Sequence, residues 1–423
     1  MILAAAFVLL TLASIPISFV LLVSALVYIA ASDNAVLYES VGRQLFGGIE
    51  NYGLLSLPLF ILLGELMSAG GIGRRLMAFA AAMLGAVRGG LAYICLTANL
   101  MMAAILGSTV AQITVMSRLA VPEMVKAGYP KDVSVAITAA AGLLAPIIPP
   151  SMIFIIFGVV AQVPIGDLFT AGIVPGLVIF LAFAGVIGVM SGRYRFPSTA
   201  ATTMAERWRS MLDAIPAALI PVVIIGSILG GLASPTESAA IACLIALVVG
   251  LFVYREMTFA DIGPAFVRTA KGAAVVLFLI ATAQVFSWAI TFENIPAKVA
   301  VAMQAMTASP TLFMLLVTAV LIFVGMIMDP IPAIIMIVPV LLPVATGVYG
   351  IDPIQFGMVV CINLTMGLLT PPVGTGLFTA ALLNDIPAGR IAVLIVPFLL
   401  VVVAALILLV FFPILSLGLG KLI

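Results

Sequence analysis

Carboxylates set within apolar sequence are the first candidates for chemistry. Each costs roughly 2.5–3.5 kcal/mol at the centre of a membrane helix and is kept there for a reason. Asp329, in Met328-Asp329-Pro330, lies between two apolar runs where water or a solute could reach it, and a functional role is expected. Glu237 heads an apolar run in Ser234-Pro235-Thr236-Glu237-Ser238, where a carboxylate suits the positive end of a helix dipole; capping is its plainest reading. Glu65, inside Leu54–Ala69, reads as an interhelical hydrogen-bond partner or as a contact to another subunit. Arg118 reads as a structural partner or a snorkelling side chain rather than a solute ligand. The sequence has no histidine, which excludes an imidazole proton relay and any His-ligated metal. Cys95, Cys243 and Cys361 are far apart in apolar runs and read as small packing residues.

The elements that must hold these groups follow from composition. Of 423 residues, 65% are hydrophobic and 8% charged, against about 45–50% apolar and about 25% charged in soluble domains. No water-soluble fold buries that much apolar surface. Apolar runs of the ~20 residues needed to span a bilayer recur from end to end, so the chain is expected to be an all-α polytopic membrane protein with lipid as its solvent. Lys+Arg number 17 and Asp+Glu 16, a balance that argues against nucleic acid as a partner. Met1–Ala31 lacks a basic start and reads as a retained first span rather than a signal peptide.

An internal repeat organises the chain. Ser108 falls opposite Asp329 and Pro122 opposite Pro343 at one separation, and Gly142-Leu143-Leu144-Ala145-Pro146 falls opposite Gly367-Leu368-Leu369-Thr370-Pro371 at a slightly larger one. Leu12-Ala13-Ser14-Ile15-Pro16 weakly echoes Leu232-Ala233-Ser234-Pro235. The division is 1–192, a linker at 193–210, and 211–423. Each half carries an apolar helix broken by prolines, at about 132–162 and about 353–384. The breaks are Ala145-Pro146-Ile147-Ile148-Pro149-Pro150-Ser151 and Thr370-Pro371-Pro372-Val373-Gly374-Thr375-Gly376. Proline removes a donor and disfavours helix at the preceding residue. Paired breaks at matching places point to a midplane site in secondary transporters.

Upstream of each break, polar tips at Leu106-Gly107-Ser108-Thr109 and Met328-Asp329-Pro330 each separate a pair of apolar stretches of about 15 residues, which rise about 22 Å and fall short of the ~30 Å core. Re-entrant hairpins at about 92–125 and about 311–345 are therefore expected. Unwound carbonyls at tips and breaks suit a hard monovalent cation such as sodium. Ala145 and Ile148, then Thr370 and Val373, flank the breaks, and the tips add carbonyls near Gly107 and Gly325, one cation site per half.

With re-entrant hairpins, Arg88, Lys126, Lys131, Arg193, Arg195, Arg207 and Arg209 fall in loops on one side, which the positive-inside rule makes cytoplasmic. Spans at about 212–230 and 236–254 then open the second hairpin to the opposite side, so the repeats are inverted. The N-terminus is expected to be cytoplasmic and the C-terminus periplasmic. Ile72–Val87, with Leu76, Phe79, Met83 and Val87 on one face, and Glu293–Met306 read as helices lying at the membrane surface.

The runs PIIPPS, SPTES, GMIMDPIPAI, GIDPIQFG and GLLTPPVG, in this order along the chain, strongly resemble the large membrane (permease) subunit of TRAP transporters, the tripartite ATP-independent periplasmic transporters. The resemblance implies an ion-transporter superfamily elevator fold with inverted repeats, two re-entrant hairpins and two broken helices. It implies import of a carboxylate-bearing solute such as a C4-dicarboxylate, sugar acid or keto acid across the bacterial inner membrane. The implied partners are a small four-helix membrane subunit and a periplasmic substrate-binding protein. Two or more sodium ions are the implied coupling ions, with no organic cofactor. By the same resemblance, the first sodium site comprises Ala103, Leu106, Gly107, Ala145, Ile148 and Pro149, and the second Gly325, Met328, Thr370 and Val373. Solute lies between the tips, at Ser108, Ser151 and Asp329. A fused small subunit, which some members carry, is not expected in a chain of this length.

The sequence departs from the usual family pattern at Leu106, where a serine is common, at Gln112, where an acid is common, and at Ala145, often glycine. Carbonyl ligands survive these changes and a side-chain hydroxyl does not, so the first cation site is the weaker. Two alternatives stand beside this reading. One is a single-component sodium/anion carrier of the same superfamily. The other, more remote, is an intramembrane hydrolase, which needs a nucleophile paired with a base or a second acid and finds neither here.

Overall fold

Proline, glycine and polar tips cut the apolar sequence into helices of unequal length. The computed structural model describes residues 2–32, 35–84, 87–197 and 203–421. Its regular elements are helical, and eight of the described helices are long and apolar enough to cross a membrane. The bilayer imposes this, because each backbone N–H and C=O must find a partner within its own segment.

The first half opens with α1 (Ile2–Leu12), α2 (Ile17–Ala31), α3 (Ala35–Gly47), α4 (Ser56–Ala69) and α5 (Ile72–Leu84). The expected single span over Met1–Ala31 is two helices: Ser14 takes a φ of 58°, and Pro16 has no N–H to continue the ladder. α5 occupies the segment read as a surface helix and buries Leu76 and Ala80; residues 85–86, near its expected end, lie outside the described residues. Then α6 (Gly90–Leu106) and α7 (Thr109–Lys126) meet at Gly107-Ser108. α8 (Lys131–Ala141) and α9 (Met152–Ala161) flank the first proline break, and α10 (Ile165–Tyr194) follows.

The second half runs through α11 (Met204–Leu229), α12 (Pro235–Val248), α13 (Phe259–Phe292) and α14 (Ile295–Met306). α15 (Pro310–Ile327) and α16 (Pro330–Gly347) meet at Met328-Asp329. α17 (Pro353–Gly367) and α18 (Thr375–Asn384) flank the second break, and α19 (Ala388–Phe411) follows. α11 begins inside the expected linker, so Arg207 and Arg209 ride on a helix rather than a loop; residues 198–202 of that linker lie outside the described residues.

Two groups of helices pack together. In the first, α13, at 34 residues, lies against α2, α3 and α4, while α12 packs on α4 and α5 on α11. In the second, matched elements exchange partners: α7 packs on α18 and α16 on α9, then α19 on α8 and α10 on α17. α13 also reaches α16, joining the groups.

Several charges are matched by nearby partners. Glu65 on α4 accepts from Arg268 on α13 at 2.6 Å, so it is an interhelical ion pair within this chain. Glu237 closes a capping box with Ser234, its carboxylate accepting from the Ser234 N–H at 2.8 Å and the hydroxyl at 2.7 Å. Glu256 takes Arg74 and, at 2.7 Å, Arg75, whose guanidinium also stacks 3.7 Å above the Tyr254 ring. Glu293, just past α13, is held below the usual carboxylate range by the Tyr28 hydroxyl and then by Lys298.

Candidate solute and cation site

The first tip turns on Gly107. Its φ of 55° is the left-handed conformation that favours glycine, and its N–H reaches back to the Ala103 carbonyl at 3.3 Å to close α6. Ser108 is extended, at the N-cap position of α7, yet its hydroxyl makes no capping bond. The next residue, Thr109, is 1% exposed, and its hydroxyl has no hydrogen-bond partner among the described residues. Leu106 ends α6, and its side chain lies outside the described residues.

Below that tip, the first break is sealed. Every residue from Gly142 to Ser151 is buried, including Ala145, Ile148 and Pro149. α10 closes over it: a Cβ at Gly176 would stand 2.3 Å from the Ile148 side chain, and one at Gly172 would stand 2.5 Å from Phe154. Tip and break touch, since a Cβ at Gly107 would lie 3.4 Å from both Pro150 O and Met152 N. Ser151 faces its own loop. Its hydroxyl donates to Pro146 O and accepts from Phe154 N at 3.3 Å, capping α9. Gln112 donates to Asn99 O at 2.7 Å and to Asn99 Oδ1 at 2.8 Å, tying α7 to α6 with uncharged groups.

The second tip and break touch more closely. A Cβ at Gly367 would stand 2.2 Å from Gly325 O, so only glycine lets α15 and α17 cross there. The Val373 N–H donates to Met326 O at 3.1 Å, joining break to tip. Thr370 donates to Met366 O at 2.9 Å, its hydroxyl spent on its own helix end. Asp329 is exposed, at the N-cap position of α16, and its carboxylate accepts the Thr375 hydroxyl at 3.0 Å. Pro371, Pro372 and Val373 are exposed, in contrast to their buried counterparts.

Two cavities follow from this geometry. A small one of about 70 Å³ is lined by Gly325, Met328, Asp329, Val373, Gly374 and Thr375 among others. One water needs about 10–15 Å³ of such space, so the cavity has room for a small ion together with a few waters. It lies at the start of α18 and the end of α15, where helix-end carbonyls lack intrahelical partners, although Met326 O already accepts from Val373 and Leu368 O from Gly376 and Leu377. The larger cavity, about 370 Å³, lies where both tips converge: Gly107, Ser108 and Thr109 on one side, Asp329 and Pro330 on the other, with Pro146, Met152 and Leu368 of the broken helices. Asp329 belongs to both cavities.

Of the solute residues expected from the sequence, Ser108 and Asp329 line the larger cavity, whereas Ser151 is not among its walls. Of the cation residues, Gly325, Met328 and Val373 gather around the small cavity, whereas Thr370 is not among its walls and only its backbone comes near, its carbonyl 3.0 Å from where a Cβ at Gly374 would stand. Sequence reasoning did not assign Thr109 or Thr375, although each hydroxyl stands in or beside a quoted motif. It also missed the wall built by Pro16, Ile17 and Ser18 of the first helices and by Val275, Val276 and Leu279 of α13, which carry no local signal.

Residues 3–415 match the family described as the DctM component of the tripartite ATP-independent periplasmic transporters. The chain is 37% identical to the 2,3-diketo-L-gulonate TRAP transporter large permease protein YiaN of Escherichia coli over 89% of this chain and 88% of that one. It is 35% identical to the C4-dicarboxylate TRAP transporter large permease protein DctM of Pseudomonas aeruginosa, over 90% and 89%. The crystal structure of the Alcanivorax borkumensis YdaH transporter matches at a TM-score of 0.65 and 17% identity, covering 89% of this chain and 88% of that one, a likeness of fold.

Proposed function

This chain belongs to the DctM-component family of tripartite ATP-independent periplasmic transporters and is a large permease subunit rather than an enzyme, and from that premise we propose that it imports a carboxylate-bearing solute coupled to sodium by an elevator motion. The observation that carries the proposal is the cavity of about 370 Å³ where two helix tips and two broken helices converge on Asp329, Ser108 and Thr109. A carboxylate solute would use the hydroxyls as donors. Asp329 would accept a solute hydroxyl or, through the cavity that it shares, face a cation.

Sodium is the ion that fits the residues. Among the described residues no cluster of His, Cys, Asp and Glu could hold a metal, while the small cavity offers oxygens of low charge at the second tip and break. Gly325, Met328 and Val373, with Thr370 beside them, would hold one ion; Ala103, Leu106, Gly107, Ala145, Ile148 and Pro149 would hold another at the first tip. Each charge moved through the field is worth about 2.3 kcal/mol per 100 mV, so a sodium excess over solute charge drives accumulation. The moving unit would be the two helix pairs and two broken helices, whose crosswise packing supports a pair of inverted repeats. The group around α13 would stay fixed.

The relatives' names supply the solute classes, 2,3-diketo-L-gulonate and C4-dicarboxylates. A small membrane subunit and a periplasmic binding protein complete the system in the bacterial inner membrane. The test is uptake in proteoliposomes holding all three components. Uptake is expected to require an inward sodium gradient and to stop when either partner is omitted. Undiminished uptake without sodium sinks the coupling, and full uptake without the partners favours a single-component carrier.

A further inference from the structure

A third cavity, about 390 Å³, lies between the α4–α5 corner and the first helix pair, lined by Ser68 and Arg74 on one side, Val115 and Arg118 on the other, and Glu256. It matches the solute cavity in size and differs in charge. Glu256 is shared by Arg74 and Arg75, so two guanidiniums stand on one carboxylate. Arg118 is exposed, lines the space, and forms no ion pair among the described residues. The walls therefore carry an excess of positive charge.

Position gives this charge a meaning. Val110 lines the solute cavity and Val115 the third, so the third cavity begins about 8 Å along α7 from the solute cavity, and Arg118 stands about 14 Å along from Thr109. Arg118 precedes Lys126 at the helix end by about 12 Å of rise, deeper than a terminal residue that only snorkels to the interface. A charge at such depth is costly, and intramembrane charges that face a cavity mark solute pathways. Arg118 also belongs to the helix pair proposed to move, and Arg74 and Glu256 to the group proposed to stay, so the cavity lies on their boundary.

We propose that this crevice is a second anion site, in which Arg118 and Arg74 receive a carboxylate of the solute after it leaves the tips. The inference rests on the transport reading above and assigns the Lys126 end of α7 as the exit side. Guanidinium and carboxylate pair in a forked geometry, with charge-assisted bonds roughly twice as strong as neutral ones. Glu256 holds Arg74 until the solute competes for it, which keeps the site from retaining its ligand.

The test reads charge selectivity without transport. Ser68→Cys places a thiol on the exposed wall of the cavity, while the native Cys95, Cys243 and Cys361 are buried. The variant is reconstituted with its partner subunits and treated with 2-sulfonatoethyl methanethiosulfonate, an anion, or with its trimethylammonium analogue. The anionic reagent is expected to react severalfold faster, succinate is expected to slow it, and Arg118→Gln is expected to abolish the preference while Arg118→Lys keeps most of it. Equal or reversed reactivity overturns the proposal. So does protection by phosphatidylglycerol where succinate gives none, which assigns the arginines to a lipid phosphate. Because labelling needs no uptake, loss of sodium-driven uptake with selectivity intact would count against the transport reading alone.

Discussion

The two tip-and-break pairs use one device and finish it differently. In the first, the break is buried from Gly142 to Ser151 and roofed by α10, and the tip is tied by the neutral Gln112–Asn99 amides. In the second, Pro371, Pro372 and Val373 are exposed, and the tip carries the carboxylate of Asp329 held by Thr375. The first break is thus a packed support whose tip lends only the uncharged Ser108 and Thr109 to the cavity, and the second pair is the accessible, charged one. A repeated chain fold sets where the backbone opens; the side chains around it set which opening can meet a solute or an ion.

Substitution at the tips should break this contrast most visibly. Asp329→Asn keeps the shape and removes the charge. Hydrogen bonds to charged groups are worth about 1.5–3 kcal/mol, so sodium-driven uptake should fall by roughly ten- to a hundredfold while the purified protein stays folded. Gln112→Leu should do the reverse, lowering the thermal midpoint because Asn99 loses its buried partner, with a smaller loss of uptake. Equal uptake losses in the two variants would erase the distinction between charged and supporting tips.

The glycines give the next largest effect. At Gly367 an added Cβ meets Gly325 backbone at 2.2 Å, whereas at the matching Gly142 it meets the Ile113 side chain at 2.8 Å. Overpacking typically costs about 1–3 kcal/mol. Gly367→Ala should approach the upper end and raise the sodium concentration for half-maximal uptake, since it pushes tip from break. Gly142→Ala should cost less, because Ile113 can turn aside. Thermal unfolding and sodium titration of both variants check the order.

Ser151→Ala should be the mildest. Loss of an N-cap costs about 1 kcal/mol, visible as a lower melting temperature, and the half-saturation concentration for solute should not move because the hydroxyl serves its own loop. A marked change in solute affinity would return Ser151 to the solute site.

Much of this was legible in the sequence because proline and glycine act locally. The clustered prolines Pro146, Pro149 and Pro150, and Pro371 and Pro372, disfavour a continuous helix, whereas lone prolines such as Pro122 and Pro175 sit inside α7 and α10; Gly107 marks a turn by its own backbone freedom. Composition alone demanded a bilayer, and the Ser234–Glu237 box lies within one turn of helix. Other features need two distant segments to meet. The Glu65–Arg268 pair, the cavity wall from α13, the Gly325–Gly367 contact and the crevice around Arg118 join residues with no relation along the chain.

The sequence by itself determined an apolar, helical chain opened at four matched places, since clustered prolines at the breaks and glycine, proline and polar residues at the tips disfavour an unbroken helix. Only the tertiary structure decided that one break is sealed and the other exposed, that Ser151 caps its own helix while Thr109 joins the cavity, and that Arg118 and Arg74 line one crevice. Burial and partner choice depend on which helices pack together, and packing is set by the fit of surfaces drawn from across the whole chain.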